Sequence, residues 1–315
     1  MKPLNKDTID IKSRGRPFAD FFLHCRSNNW SLPVRSSESS SKRHQEANAS
    51  QSSAVESDAA LERLGRLAKN ITSGCYWLGS SNPKTLKGLK EGYITATLSL
   101  APADYSNYTT CFNYSKCKDT CLYNRGRGRM PKIAQIRIRK TNEFFDNLED
   151  SLFELSCEIR RINKRIQKTD MKLAVRPNTF SDIKWEELRP KSLGGLNIFE
   201  ANPEVQFYDY TKIPLGYREA WTDMPINYHL TYSWDGTDKC ADYAQTVLDN
   251  GHNVAVVLTK AHHAAFMANL EITGGDLLGI HQYTLKNNED SDNRFLDPSP
   301  VILLGREKGK SNIAQ

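Results

Sequence analysis

The chain has 315 residues, of which 38% are hydrophobic, with a formal net charge of +6 and seven cysteines. That length suits one large or two modest domains. No apolar run approaches the roughly 20 residues that span a bilayer, the amino terminus lacks a signal peptide's apolar core, and irregular cysteine spacing argues against a secreted disulfide framework, so a cytoplasmic protein without a membrane segment is expected.

Residues 1–60 read as a low-complexity, disordered extension. Ser36 to Ser41 is a serine-rich run, and Ser, Ala, Gln and Glu dominate up to Ala60. Such a segment buries too little apolar surface to offset its ordering entropy. A short helix is expected over 59–70 through Leu61, Leu64 and Leu67. The main body, one α/β domain, is expected over 75–312.

The clearest strand runs from Gly92 to Leu100. Ile94, Ala96, Leu98 and Leu100 alternate with Thr95, Thr97 and Ser99, the period of a β-strand. Cys111, Cys117 and Cys121 follow, then the basic glycine turn Asn124–Arg129. A long helix is expected over 132–168. Its stripe is Phe144, Leu148, Leu152, Leu155, Ile159, Ile162 and Ile166, at three- and four-residue steps. Further strands are expected at Lys172–Arg176, Val205–Tyr210, Tyr228–Ser233, Asn253–Leu258 and Val301–Leu304, with a helix at Lys239–Asp249. Asn253–Leu258 is nearly continuous in apolar residues, as in a strand covered on both faces. The fold expected is α/β with a mostly parallel sheet, an irregular or incomplete TIM-like barrel. The interval from Tyr210 to Tyr228 is short for a crossover helix, which argues against a regular barrel.

Sites in parallel α/β folds form at the carboxyl ends of strands. Polar residues gather there. Arg176, Asn178, Ser181 and Asp182 follow one strand, Asp209 and Lys212 another, and His229 lies on a third. Asp182, Asp209 and His229 are candidate catalytic residues. Arg127, Arg176, Asn178 and Lys212 are candidate substrate-binding residues. Loops are wet, so any one of these is more readily a solvated loop residue; the set together suggests a site.

Cys111, Cys117 and Cys121 are candidate metal ligands with C-x5-C-x3-C spacing. Thiolates this close suit zinc or an iron–sulfur cluster. Three thiolates on a four-iron cluster leave one iron open, the arrangement of S-adenosylmethionine radical enzymes, whose C-x3-C-x2-C spacing this chain lacks. Zinc would need a fourth ligand, with Cys75, His229 or an Asp as candidates. Three ordinary reduced thiols in a loop are an equal alternative. Residues 116–172 hold fifteen Lys and Arg against eight Asp and Glu, so nucleic acid or another polyanion is a candidate partner, with a solvated helix face as the plain alternative.

Two apparent motifs carry little. Gly305–Ser311 is one residue short of a phosphate-binding loop, with only four residues left for the helix it needs. His262 and His263 are adjacent, and neighbouring side chains rarely converge on one metal.

From about Asn82 onward the chain resembles an uncharacterised family of phages and prophages, akin to the mycobacteriophage gene product 88 group. Several segments carry the likeness in order: Asn82-Pro83-Lys84-Thr85, Leu100-Ala101-Pro102-Ala103, Cys121-Leu122 with Gly126-Arg127-Gly128, Ser181-Asp182-Ile183, Phe207 to Lys212, Asn227 to Thr231, and Arg294 to Pro298. The first two cysteines stand one residue closer than in that pattern, and Pro177 and Phe180 replace small positions. The resemblance implies a phage-encoded protein in the host cytoplasm and names no reaction. It leaves two readings: a three-cysteine metal or iron–sulfur protein, in its enzymatic form a radical-type enzyme, or a non-enzymatic nucleic-acid-binding protein of phage replication.

Overall fold

The structure is a computed structural model and describes residues 62–80, 83–111, 114, 117, 121–124, 130–236, 238–273 and 283–307. The expected extension over 1–60 lies outside the described residues. A helix α1 over residues 62–71 turns Leu64, Leu67, Ala68 and Ile71 into the core. The packed body therefore starts ahead of Cys75. Strand β1 (Leu78–Gly79), helix α2 (Pro83–Lys87) and strand β2 (Tyr93–Leu98) follow. Helices α3 (Pro131–Asp146) and α4 (Leu148–Ile166) lead to β3 (Lys172–Arg176), β4 (Gln206–Thr211) and β5 (Tyr228–Ser233). The rest is α5 (Asp238–Asp249), β6 (Asn253–Leu258), α6 (Lys260–Thr273), β7 (Thr284–Asn287) and β8 (Val301–Arg306).

The eight strands form one sheet in the order β1-β2-β3-β4-β5-β6-β8-β7. All neighbours are parallel except β1 and β2. From β2 to β6 the strands stand in chain order, as they would around a barrel, but the sheet does not close. The expected mostly parallel α/β sheet is what the chain forms, and it is open. Between β4 and β5 there is only a 3-10 turn at Glu219–Trp221, consistent with the short interval.

Helices cover one face. Ile94, Ala96, Leu98, Leu173, Val175, Phe207, Leu230, Val254 and Ile302 pack there against Leu152, Leu155, Ile159 and Ile162 of α4. Each such fully buried side chain contributes about 1.5–3 kcal/mol of apolar transfer. Phe144 bridges Trp77 and Trp185, with ring centroids 5.3 and 5.6 Å away.

The single helix expected over 132–168 is two helices. The break is at Asn147 (φ −127°, ψ 49°), whose side-chain amide donates to the Glu143 carbonyl at 3.3 Å. Asparagine competes in this way with the helical ladder, and an apolar stripe does not register it.

The opposite face is polar, and residues 288–297 lie across it. Tyr208 donates to Asp292 at 2.9 Å, and Arg176 Nη1 pairs with the same carboxylate at 3.0 Å. Tyr210 and Arg294 both donate to Asn288 Oδ1 (3.0 and 3.1 Å). Asn293 Nδ2 donates to Glu91 at 2.7 Å, and Phe295 packs on Tyr93 at 4.9 Å between centroids. This plug runs from the β7 edge back to the start of β2. Gly305 admits it: a Cβ there would stand 3.2 Å from Asn288 Nδ2. Thr95, on the polar face, meets Asn293 at 3.5 Å.

Candidate functional site: the cysteine rim

The loop after β2 starts from a strained residue. Ala103 has φ 50°, the only positive φ outside glycine among the described residues, and such backbone persists where surrounding contacts enforce it. Its N–H donates to Cys111 Sγ at 3.2 Å. The Cys111 thiol donates to the Phe180 carbonyl at 3.7 Å. Burial pushes that thiol up to about 11. Cys117 and Cys121 are hydrogen-bonded to each other. Cys121 keeps the proton and is raised by that bond, while Cys117 is held below the ordinary thiol range. Cys111 is within electrostatic reach of both.

Beneath the thiols lies a polar network built on β3 and β4. Asp209 accepts from Asn178 N–H at 2.9 Å, from Asn178 Nδ2 at 3.0 Å and from the Tyr228 hydroxyl at 3.3 Å. Asn178 Nδ2 also donates to the Ile183 carbonyl at 2.9 Å. Its Oδ1 accepts from Ser181 Oγ at 2.8 Å and Ile183 N–H at 3.0 Å. The loop so fixed carries Asp182, whose N–H donates to the Thr110 carbonyl at 2.8 Å, next to Cys111. Asp182 Oδ2 accepts from Lys212 N–H at 2.7 Å. Arg218 forks onto Glu186 at 2.7 and 2.9 Å and reaches Asp182 at 3.5 Å. Burial raises both Asp182 and Asp209, the latter to about 7, against the charges of Arg218 and Arg176. Lys212 Nζ donates to Ser233 Oγ at 3.1 Å, and its charge helps hold Cys117 down.

The structure therefore brings Cys111, Cys117, Cys121, Asp182, Asp209, Asn178 and Lys212 to one rim. It does not bring the other candidates there. His229 lies on the plug face, beside Asn253 Nδ2 at 3.3 Å, and burial lowers it to about 4. Arg176 is on the same face, over the Tyr210 ring at 4.8 Å. Arg127, with Arg125 and Arg129, lies outside the described residues. Cys75 stands against Arg161 of α4 at 3.6 Å, Cys157 is exposed and Cys240 is buried. His263 meets the Leu304 carbonyl at 3.3 Å.

Sequence reasoning missed Arg137, Arg218, Glu186 and Ala103. Arg137 had a signal. With Thr141 and Phe144 it makes the four- and three-residue steps of an inward helix face. Arg218 sits in an aperiodic stretch and had none.

The basic residues of α4 are largely occupied. Arg165 donates to the carbonyls of Ile71 and Ser73 at 2.8 Å each, Arg161 to Gly74 at 3.3 Å and Arg160 to Ala201 at 3.2 Å. They clamp the end of α1 and the turn before β4. Glu158, buried among them, accepts from the N–H groups of Tyr76, Trp77 and Leu78.

Among the described residues no three His, Cys, Asp or Glu side chains are grouped as a metal-ion site, and no helix is long and apolar enough to cross a membrane. No curated protein and no solved structure matches the chain. The family model for Gene product 88 matches residues 77–315. That span takes in the whole sheet, the cysteine loop and the Asn178–Asp209 network, and the chain belongs to the Gene product 88 family of phage proteins.

Proposed function

We propose that the protein carries a thiolate-bound metal or iron–sulfur centre on Cys111, Cys117 and Cys121, in the host cytoplasm, where thiols stay reduced. The carrying observation is the strained Ala103 amide on Cys111 Sγ. Hydrogen bonds to sulfur are how a protein tunes thiolate ligands, and a lone buried thiol has no use for one enforced by strain.

The donor set fits a thiophilic group. Three thiols come from one loop, two of them already in contact. Lys212 lies near Cys117 and Arg137 near Cys121, and both cations offset the negative charge that thiolate ligands accumulate. Ligation would release the Cys111 and Cys121 protons to solvent. A four-iron cluster here would supply an open iron for S-adenosylmethionine and so radical chemistry; zinc would make the loop a structural knot. The chain's own residues hold the loop. Asp209 and Asn178 fix residues 178–183, and those fix Thr110 and Cys111.

The test is purification without oxygen followed by iron, sulfide and zinc analysis. Serine at position 111, 117 or 121 should lower bound metal sharply, whereas Cys157→Ser and Cys240→Ser should change it little. A parent protein that holds neither iron nor zinc would overturn the reading.

A further inference from the structure

Arg137 projects from α3 toward the cysteine loop, and its guanidinium stands beside two rings that are nearly perpendicular to each other. It stands 4.2 Å from the Phe180 centroid and 5.3 Å from that of Tyr123. Its Nη1 is buried and meets no hydrogen-bond acceptor. The guanidiniums buried more deeply than Arg137 all have carboxylates: Arg176 pairs with Asp292, Arg218 with Glu186, and Arg294 with Asp297. Arg137 has no such partner among the described residues. Leaving a buried charged donor unpaired is expensive, so the chain has a reason to keep it. The ring contacts hold the head of the side chain in place, and a guanidinium fork matches a carboxylate or phosphate.

We propose that Arg137 is the receptor for an oxyanion group, a carboxylate or phosphate, on a ligand taken up at the cysteine rim. This rests on the rim being the ligand-binding end of the sheet, as in the reading above, but needs no metal. Phe180 and Tyr123 hold the guanidinium in place by cation–π contact, and the anion takes the donor that has no acceptor.

The experiment uses the full chain, metal-loaded and metal-free, titrated calorimetrically with inorganic phosphate and with acetate at constant ionic strength. One probe should bind the parent, and the better binder identifies the anion class. Arg137→Met should weaken that binding at least tenfold, Arg137→Lys less because the charge remains, and Arg139→Met on the same helix not at all. With no anion present, Arg137→Met should be at least as stable to urea as the parent, since it removes an unpaired buried charge. If neither probe binds the parent, if Arg137→Met binds equally well, or if Arg137→Met is markedly less stable without anion, the inference falls. Metal analysis of the same samples separates the two readings. Arg137-dependent anion binding by a protein without metal would leave this inference and remove the metal centre, and metal without anion binding would do the reverse.

Discussion

Asn178 is the place to cut the rim network. It is 2% exposed and uses its whole side-chain amide: two donated bonds, to Asp209 and the Ile183 carbonyl, and two accepted, from Ser181 and Ile183 N–H. Above about pH 7, where Asp209 is ionised, the bond to its carboxylate is charge-assisted and worth about 1.5–3 kcal/mol, and the three neutral ones are worth about 0.5–1.5 kcal/mol each. Water entering the space left by Asn178→Ala restores part of that. The expected loss of stability is about 3–5 kcal/mol, the size associated with breaking a buried polar network. Urea unfolding should show a lower midpoint with an unchanged slope. The same loop carries the Phe180 carbonyl that accepts from Cys111, so alkylation of Cys111 should speed up. Asn178→Asp would set a second carboxylate against Asp209, and its penalty should shrink as the pH falls. A loss under about 1 kcal/mol, well below the sum of these bonds, together with unchanged alkylation would refute the view that Asn178 holds the loop.

Glu158→Gln should free the strap at residues 76–78, because a carboxylate accepting from three backbone donors becomes an amide that is half donor; a loss of about 2 kcal/mol and new protease cleavage near residue 76 are expected. Acid and base behaviour should separate two buried groups. Asp209, at about 7, keeps a proton in the folded chain that the unfolded chain releases near 4, so its contribution to stability falls as pH rises through about 4 to 7. His229, at about 4, lacks a proton that the unfolded chain holds below about 6.5, so its contribution is lost as pH falls through that window. Asp209→Asn should therefore steepen the rise of stability between about pH 4 and 6.5, and identical pH profiles for the variant and the parent would contradict this. If the α4 face binds nucleic acid, reversing Arg160, Arg161, Lys164 and Arg165 should abolish salt-sensitive binding, but reversing Arg161 and Arg165 should also loosen α1, which circular dichroism and proteolysis would register.

Alternation in β2 and the stripe of α4 were legible because each turns its apolar residues to one side, against a single partner layer; the threonines on the other side of β2 are buried too, under the plug and β1. The break at Asn147 was not, since the stripe continues across it. β1 and β7 are too short to show a period, at two and four residues, and the plug has none at all. For the site, position along a strand was legible and facing was harder. In β5, apolar Tyr228, Leu230 and Tyr232 alternate with His229, Thr231 and Ser233, so the pattern itself sends His229 away from the helix layer that Tyr228 faces. In β4, Tyr208 and Tyr210 are as apolar as Phe207, and the period does not say which face Asp209 takes. Its partners Asn178 and Tyr228 decide that.

The plug also bears on where a ligand can enter. It covers the polar face at the start of β2 through Phe295 on Tyr93, and at β4 through Asp292 on Tyr208. Asn253, at the start of β6, is closed by its bond to Val301 N–H. Farther along β6 on that same face, Val257 is 61% exposed, although Ala255 two residues earlier is buried. The polar face is thus covered from the start of β2 to Arg176 and Tyr210 near the ends of β3 and β4, and open at the end of β6. Lys212 spans from the β4 end to Ser233 at the β5 end, beside the thiols. A ligand held at the ends of β4 and β5 would meet the cysteine loop, Lys212 and the Asp182 loop together. If the rim is the ligand-binding end, the charge network inside the plug is what keeps a ligand off the polar face of β2 to β4.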